Sequence, residues 1–477
     1  MLKGKEVTWT LINSVFSSVL ASLQIGYHTG NINTPQMIIE EFYNDTWWQR
    51  HERHMSHHTL TMLWSLTVSI LSLGATVSAL CVGLLADNQG RRGSILIANS
   101  IALFAIVCMG ISKLATSPEM LIIGRFVMGL YCGLSMTLVP LYIQEIAPTH
   151  LRGAFSTMNQ LAYTIGIFIG QIMSLESVLG TREWWPVMLT LSLIPTLIQF
   201  LTFPFCPESP RYLLINCNEE ILAEKELQKL RGKQDVMEEI KEMKEEAARL
   251  RNTPEVTICQ LFRVPSYRKP MVISLLINAS SQLSGYNALI NYSTKLFTLA
   301  KVASPTYTTM GVGVINIVFT IIAVFLVENA GRRTLLLIGF FALAVCDIVL
   351  TVSIATLSEL RWMSHILVLA VFVFVAFFEI GPGPIAWYIT AELFGQSARP
   401  VAMGVASSWN WLNKFFVGMF YQPLQHAIGP YVFLCFAIIL MGSFVYTWFR
   451  VPETRGRTFE EITAEFRQAD GLLMNKL

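Results

Sequence analysis

The sequence predicts an all-α membrane protein with twelve spanning helices, and three observations lead to this prediction. First, 53% of the 477 residues are apolar and only 14% are charged, whereas soluble domains have roughly 25% charged residues. Second, the chain has room for a dozen apolar stretches of about 20 residues, the length that a helix needs to cross a bilayer. Third, several charged motifs of the first half recur in the second half.

The apolar stretches place the predicted spans along the whole chain. The first contains Asn13 and Gln24 and ends without a small-residue cleavage site, so we expect a retained helix and not a signal peptide. The twelve spans are predicted at 9–29, 62–82, 94–112, 119–142, 154–175, 185–205, 271–298, 306–328, 334–357, 363–390, 400–421 and 429–449.

Basic residues between the spans give the expected topology, because cytoplasmic loops carry an excess of Lys and Arg. They fall on one side if both termini are cytoplasmic. The predicted domains are an N-terminal six-helix half, a cytoplasmic helical linker, a C-terminal six-helix half and a cytoplasmic tail, at 1–206, 207–269, 270–450 and 451–477.

The linker contains the charged stretch KELQKLRGKQDVMEEIKEMKEEAARLR. Apolar residues recur in it at spacings of three and four, at Val236, Ile240, Met243 and Ala247, which predicts an amphipathic helix. Two interpretations stay open: a solvated connection, or a latch that docks on the two halves.

Three motifs repeat at nearly one offset, which indicates a duplicated six-helix unit. Asp87-Asn88-Gln89-Gly90-Arg91-Arg92 recurs as Glu328-Asn329-Ala330-Gly331-Arg332-Arg333, and Glu145 with Arg152 recurs as Glu392 with Arg399. Pro207-Glu208-Ser209-Pro210-Arg211 is echoed by Pro452-Glu453-Thr454-Arg455.

Each motif places carboxylates near arginines at the cytoplasmic end of a span, where bidentate pairs are strong but can still separate. We therefore expect ion pairs that form a conformational gate; the alternative is that they only fix helix ends and topology. The predicted set is Asp87, Arg91, Arg92, Glu145, Arg152, Glu208, Arg211, Glu328, Arg332, Arg333, Glu392, Arg399 and Glu453.

Further stretches carry a family resemblance over essentially the whole chain: GRFVMGLYCGLSMTLVPLYIQEIAPTHLRGAF, QLSGYNALINYST, VAFFEIGPGPIAWYITAELFGQSARP and VPETRGRTFEEI. The chain resembles the class I facilitative glucose transporters of the GLUT family, within the sugar porters of the major facilitator superfamily. The resemblance implies a facilitative hexose uniporter that works by alternating access. Among the hexoses, it favours D-glucose as the substrate. It implies no enzymatic activity and no cofactor.

The same resemblance implies a sugar site. Amides donate and accept hydrogen bonds without charge, and an indole packs on the apolar face of a sugar ring, although isolated Asn and Gln also simply join membrane helices. The implied contacts are Gln160, Gln282, Asn287, Asn316, Glu379, Trp387 and Asn410. Gly285 and the run Gly381-Pro382-Gly383-Pro384 predict breaks in spans 7 and 10.

The chain departs from the family at positions near this site: His28, Tyr163, Ser281, Tyr286, Asn291, Ala386 and Lys414. His28 supports an alternative as a proton-linked symporter, since histidine titrates near neutral pH. Lys414 supports a carrier of a different, anionic solute, unless its stem only reaches the interface. Asp347 also falls inside an apolar span. A non-transporting sugar receptor is the alternative from another class.

Other candidate sites are few. The eight cysteines show no metal or redox spacing, and His51, His54, His57 and His58 indicate an exposed polar loop, so we expect no metal. The sequon at Asn44 predicts N-glycosylation in the first outside loop. The expected partners are a sugar and the bilayer, with no nucleic acid, and the expected location is the plasma membrane.

Overall fold

The computed structural model describes residues 8–148, 152–251, 256–395, 397–455, 457 and 461–462. All regular elements within these ranges are helices, as predicted. The elements before residue 252 are α1 (Trp9–Gly30), α2 (Gln36–His51), α3 (His57–Ile111), α4 (Pro118–Ile146), α5 (Arg152–Met173), α6 (Trp185–Thr190), α7 (Leu193–Thr202), α8 (Pro210–Ile215), α9 (Glu220–Arg231) and α10 (Met237–Arg251). A 3₁₀ turn, Phe203–Phe205, follows α7.

The second part of the chain continues the same pattern after residue 255. Its elements are α11 (Ile258–Arg263), α12 (Pro265–Gln282), α13 (Tyr286–Leu299), α14 (Pro305–Ala330), α15 (Arg332–Ala355), α16 (Met363–Ile380), α17 (Pro382–Leu393), α18 (Arg399–Ile428) and α19 (Tyr431–Arg450).

By length and composition, seven helices of the described residues can cross a membrane: α3, α4, the stretch Trp185–Phe205, most of α14, α15, α16 and α19. Two predicted spans lie on α3, which breaks at Gly90. The other predicted spans fall on helices that carry more polar residues or are interrupted, namely α1, α5, α12 with α13, and α18.

The chain forms two compact units. The first consists of Met1–Arg50 and Ile70–Pro254, and the second of His51–Ser69 and Glu255–Leu477. The helices α8 to α10 of the predicted linker therefore belong to the first unit, and α11 belongs to the second. Helix α3 begins in the second unit and ends in the first.

Helices α1 and α5 pack closely in the first unit because small residues face each other. Gly26 and Gly30 on α1 are spaced by four, as are Gly166 and Gly170 on α5. A Cβ atom on Gly26 would lie 1.9 Å from the Tyr163 carbonyl oxygen, and one on Gly166 would lie 2.1 Å from that of Leu23. The missing side chains allow backbone contact, as in other small-xxx-small membrane interfaces.

Polar residues explain why α1 is less apolar than a lipid-facing span. Gln24 Nε2 donates to Gln199 Oε1 at 3.0 Å, and Thr196 Oγ1 donates to Gln24 Oε1 at 2.9 Å. Ser17 Oγ donates to Thr202 Oγ1 at 2.9 Å. These hydrogen bonds join α1 to α7 inside the unit, where no water is available to replace them.

The predicted linker helix is two helices, which corrects the sequence interpretation. Gly232 ends α9 in the left-handed conformation with φ 64°, and α10 begins five residues later at Met237. The amphipathic pattern is real, because Val236, Ile240 and Met243 pack with residues of α8 and α9 in one apolar cluster. We call it the linker cluster: Leu214, Ala223, Leu227, Val236, Ile240 and Met243.

The predicted breaks in spans 7 and 10 are confirmed. Gly285, with φ 94°, precedes α13 and separates it from α12. Gly381 separates α16 from α17, with φ −118° and ψ −96°. Both breaks lie in the second unit and place polar side chains of neighbouring helices next to interrupted backbone.

Replacement of Leu227 by alanine is expected to loosen the linker cluster, because Leu227 is fully buried in it. Removing a buried leucine side chain costs about 2–5 kcal/mol. Limited proteolysis of the purified protein should then cut within α9 or α10 faster. Leu222→Ala, on the same helix but 45% exposed, is the matched control. Equal cleavage of both variants would show that the cluster does not hold the linker.

Candidate functional site

The first charged motif caps a helix that restarts at a break. Gly90 has φ 74°, and the helix continues from Arg91. The backbone amides of Arg91 and Arg92 donate to Glu208 Oε1 at 3.0 and 3.1 Å. Free amides at a helix start need acceptors and favour negative charge. Glu208 therefore acts as a helix cap supplied from a distant segment of the chain.

Arg91 also forms the main ion pair of this motif. Its Nε and Nη2 atoms donate to the Oε2 and Oε1 atoms of Glu145, both at 2.9 Å. The two side chains are 10% and 11% exposed. The guanidinium lies 5.0 Å from the centre of the Tyr212 ring. The pKa of Tyr212 is raised to about 12, first by its hydrogen bond with Cys217 and then by burial, so this phenol stays neutral.

The second unit repeats this arrangement at the corresponding residues. Gly331 has φ 86° and precedes α15, whose first amides, of Arg332 and Arg333, donate to Glu453 at 2.8 and 3.1 Å. Arg332 Nε and Nη2 bind Glu392 Oε1 at 3.0 and 2.9 Å. Glu392 also accepts a hydrogen bond from the Thr454 hydroxyl.

The other predicted gate residues have different roles. Asp87 accepts from Asn216 Nδ2 at 3.2 Å and lies 3.7 Å from Arg91 Nη1. Arginine side chains bind backbone carbonyls instead of carboxylates in three cases: Arg92 to Cys206, Arg333 to Trp448 and Arg399 to Phe394. Arg211 is the second residue of α8. The side chains of Arg152 and Glu328 lie outside the described residues.

A chain of amide side chains runs through the second unit. Asn410 Nδ2 donates to Asn278 Oδ1 at 2.8 Å, and Gln282 Nε2 donates to Asn410 Oδ1 at 2.9 Å. Asn287 Nδ2 in turn donates to Gln282 Oε1. The predicted Gln282, Asn287 and Asn410 thus come together across α12, α13 and α18. Sequence reasoning missed Asn278, which lies one helical turn before Gln282.

A second polar group surrounds Glu379 on α16. Tyr286 Oη donates to Glu379 Oε1, and Thr320 Oγ1 donates to Glu379 Oε2, both at 3.1 Å. Asn316 Nδ2 donates to Tyr286 Oη at 3.0 Å. The predicted Asn316 and Glu379 are therefore linked through Tyr286, and Thr320 is a member that the sequence did not reveal.

Aromatic residues lie at the α17–α18 contact. The Trp387 and Trp411 rings meet edge to face with their centres 6.1 Å apart. Lys414 Nζ lies 4.9 Å from the centre of the Trp411 ring, in a cation–π contact. The lysine is half-buried, and its ammonium group stays over the indole. The predicted Trp387 thus contacts Trp411, and Trp411 in turn contacts Lys414, a cation that the family resemblance does not imply.

The predicted residues of the first unit lie on α1 and α5. Gln160 and Tyr163 are half-buried on α5. His28 on α1 is fully buried, with Nε2 2.9 Å from Ser192 Oγ. Its carbonyl oxygen accepts from Arg125 Nη1 at 3.0 Å. Arg125, buried at 2% exposure, is a charged residue that the sequence analysis did not single out.

Several remaining candidates are buried, with few partners among the described atoms. Ser281 Oγ and both carboxylate oxygens of Asp347 have no hydrogen-bond partner there. Ala386 is buried within α17, and Asn291 is buried on α13.

The expected outer loop is partly helical, which corrects the sequence interpretation. The sequon residue Asn44 and His51 lie on α2, and His57 and His58 begin α3. The described residues contain no group of three or more potential metal ligands.

Comparison with known proteins identifies close sequence relatives. The family of sugar (and other) transporters matches residues 14–466. The chain is 49% identical to solute carrier family 2, facilitated glucose transporter member 1, of Gallus gallus over 98% of this chain and 96% of that protein. It is 50% identical to member 3 of Ovis aries over 97% and 93%, and 48% identical to member 4 of Homo sapiens over 98% and 93%.

Solved structures show the same fold at low sequence identity. The chain is similar to the inward-open, partially occluded xylose transporter XylE from E. coli, with a TM-score of 0.80, 22% identity and coverage of 94% of this chain and 100% of that one. The proton:xylose symporter XylE bound to 6-bromo-6-deoxy-D-glucose gives 0.78 at 24% identity, with 96% and 99% covered. The predicted all-α major facilitator fold is confirmed.

Substitution of Gly90 or Gly331 by alanine is expected to destabilise the protein. Both glycines have positive φ, and an added Cβ would lie 2.5 Å from Glu208 Oε2 or 2.6 Å from Glu453 Oε2. Each change should cost more than about 1 kcal/mol in the free energy of unfolding. Thermal unfolding in detergent is the measurement. Gly442→Ala on α19, where an added Cβ meets nothing within 4 Å, should leave the midpoint unchanged or raise it. A similar midpoint for all three variants would contradict the cap assignment.

Proposed function

The chain belongs to the sugar transporter family, and on this premise we propose that it is a facilitative carrier of hexoses, with D-glucose as its principal substrate. The observation that carries the proposal is the near 50% identity to facilitated glucose transporters over almost the whole chain. Such a carrier alternates between outward-open and inward-open states and needs no fuel. It is a multi-pass membrane protein that we place in the plasma membrane, with both termini cytoplasmic and Asn44 glycosylated outside.

The amide chain supports this proposal chemically. A hexose presents hydroxyl groups that both donate and accept hydrogen bonds, and neutral amides match them without a charge. Gln282, Asn287 and Asn410 already hold one another in a fixed order, so their orientation is set before a sugar arrives. We assign the sugar contacts to Gln160, Gln282, Asn287, Asn316, Glu379, Trp387 and Asn410, with Trp387 under the apolar face of the ring.

The repeated ion pairs support a conformational role. Arg91 with Glu145 and Arg332 with Glu392 are built in the same way in each unit, next to an acid-capped helix start. Both pairs are partly shielded from water, where separation of the charges has a cost that depends on the conformation. We infer that these pairs stabilise the state in which the cytoplasmic side is closed.

Counterflow of labelled D-glucose into proteoliposomes tests the transport proposal. D-Glucose, D-fructose and D-galactose should be compared with L-glucose as competitors, at two external pH values, with and without a proton ionophore. We expect saturable, stereoselective exchange that the ionophore does not change. Acceleration by a proton gradient would instead assign the chain to symport, the alternative that His28 represents. Saturable glucose binding without exchange would indicate a receptor, and no glucose signal would direct attention to anionic solutes near Lys414.

Arg332→Ala should shift the conformational population toward the inward-open state, because it leaves Glu392 without its guanidinium partner. A loss of about 1–2 kcal/mol from one state shifts a two-state population roughly five- to thirtyfold. Accessibility of single cysteines introduced at the cytoplasmic ends of α4 and α17 measures the shift. Lys229→Ala, which removes an exposed ion pair with Glu226, is the control. Unchanged accessibility in the Arg332 variant would refute the gate.

A further inference from the structure

Tyr286 occupies the first position of α13, directly after the break at Gly285, and is 93% buried by its neighbours, with 7% exposed. Its ring stacks on Phe378 of α16 with the centres 3.7 Å apart and the planes within 7°. Its hydroxyl lies between the side chains of Asn316 on α14 and Glu379 on α16. Three helices therefore meet at one phenol.

The direction of the hydrogen bonds follows from the chemistry of each group. Both carboxylate oxygens of Glu379 accept from hydroxyl groups, at 3.1 Å from Tyr286 and 3.1 Å from Thr320. A phenol has one hydrogen, and here it is directed at Glu379. Toward Asn316 the same oxygen can only accept, and it does so from Nδ2 at 3.0 Å.

Thr320 is a weaker hydrogen-bond donor to Glu379 than its distance of 3.1 Å suggests. Its single hydroxyl hydrogen is shared with the backbone carbonyl of Asn316, which is closer at 2.8 Å. Tyr286 is consequently the principal hydrogen-bond donor to the buried carboxylate. This contact holds the phenol in place and, through it, the orientation of the Asn316 amide.

The carbonyl oxygen of the Asn316 amide remains available to a ligand. Asn316 is fully buried, and its Oδ1 atom has no hydrogen-bond partner among the described residues. A buried carbonyl oxygen without a donor is costly, about 1–3 kcal/mol. The group therefore presents an acceptor that a ligand hydroxyl can satisfy, while the bond from Nδ2 to Tyr286 fixes which way the amide is turned.

We propose that Tyr286 is a specificity-determining residue, which fixes the Asn316 amide with its carbonyl oxygen open to a ligand and so selects a sugar hydroxyl that donates at this point. An Asn316 released from Tyr286 could rotate its side chain and turn its NH2 group to the same point, where it would donate to the ligand instead. This inference rests on the proposed hexose transport. It assigns a role to one of the positions at which the chain departs from the family pattern.

Sugar analogues in which one hydroxyl is replaced test the donor requirement. Replacement by hydrogen removes both the donor and the acceptor, and replacement by fluorine removes only the donor. The test compares deoxy and deoxyfluoro D-glucose at each ring position as competitors of labelled D-glucose counterflow. At one position the wild-type protein should reject both analogues equally, by about three- to tenfold, the value of one hydrogen bond.

Tyr286→Phe keeps the ring on Phe378 and removes the hydroxyl, which allows the Asn316 amide to rotate and present its NH2 group to the ligand. At the same ring position, the fluoro analogue should now compete better than the deoxy analogue. Tyr292→Phe is the matched control, because Tyr292 is also buried on α13 and donates to the Gly418 carbonyl at 3.0 Å. It should keep the wild-type pattern. Thermal unfolding of both variants separates a loss of stability from a change of selectivity.

The outcomes are distinct. If the deoxyfluoro analogue competes better than the deoxy analogue at every ring position in the wild-type protein, the inference is overturned without any variant. An unchanged pattern in a folded Tyr286→Phe protein would also overturn it. Absence of D-glucose exchange in the wild type and in Tyr292→Phe would instead refute the proposed function.

Discussion

Hydrocarbon offers no water to a polar group, so each backbone or side-chain donor inside a membrane span needs a partner within the protein. A related need arises at the proposed cytoplasmic ends of the spans, where a helix start leaves backbone amides without an acceptor in the helix. The helices that restart after Gly90 and Gly331 expose free amides, and Glu208 and Glu453 accept from them. The same rule orders the amide chain, in which each side chain donates to the next. The polar residues of these two sets are consequently organised in connected groups.

The two units provide acceptors for the free amides at these helix starts in the same way. Each has a glycine with positive φ, a carboxylate that caps the following helix and an arginine that pairs with a second glutamate on another helix. The cap and the ion pair both hold the start of the helix, and the ion pair stays partly exposed to water. Such a contact has a stability that depends on solvent access, which a carrier with two states can use.

Besides its helix cap and ion pair, the second unit contains two further groups of buried polar side chains. The amide chain through Asn410 and the group around Glu379 lie on helices next to the two breaks, where the backbone is interrupted. Buried polar networks of this kind favour a single arrangement, because each rotated amide would leave a neighbour unsatisfied. Tyr286 is part of the group around Glu379, and Lys414 lies over the ring of Trp411, the residue that follows Asn410.

Composition and hydropathy were enough to predict the all-α membrane fold, because burial in lipid imposes length and apolarity on every spanning helix. Repeated charged motifs predicted the duplication, and glycine and proline residues predicted the breaks at Gly285 and Gly381. The resemblance to a family supplied Gln282, Asn287 and Asn410 as candidates. Partners across helices depend on packing between residues far apart in the chain, which periodicity does not encode. Only the tertiary structure therefore revealed that Glu208 caps a helix, that the linker is two helices, that Asn278 completes the amide chain and that Tyr286 joins Asn316 to Glu379.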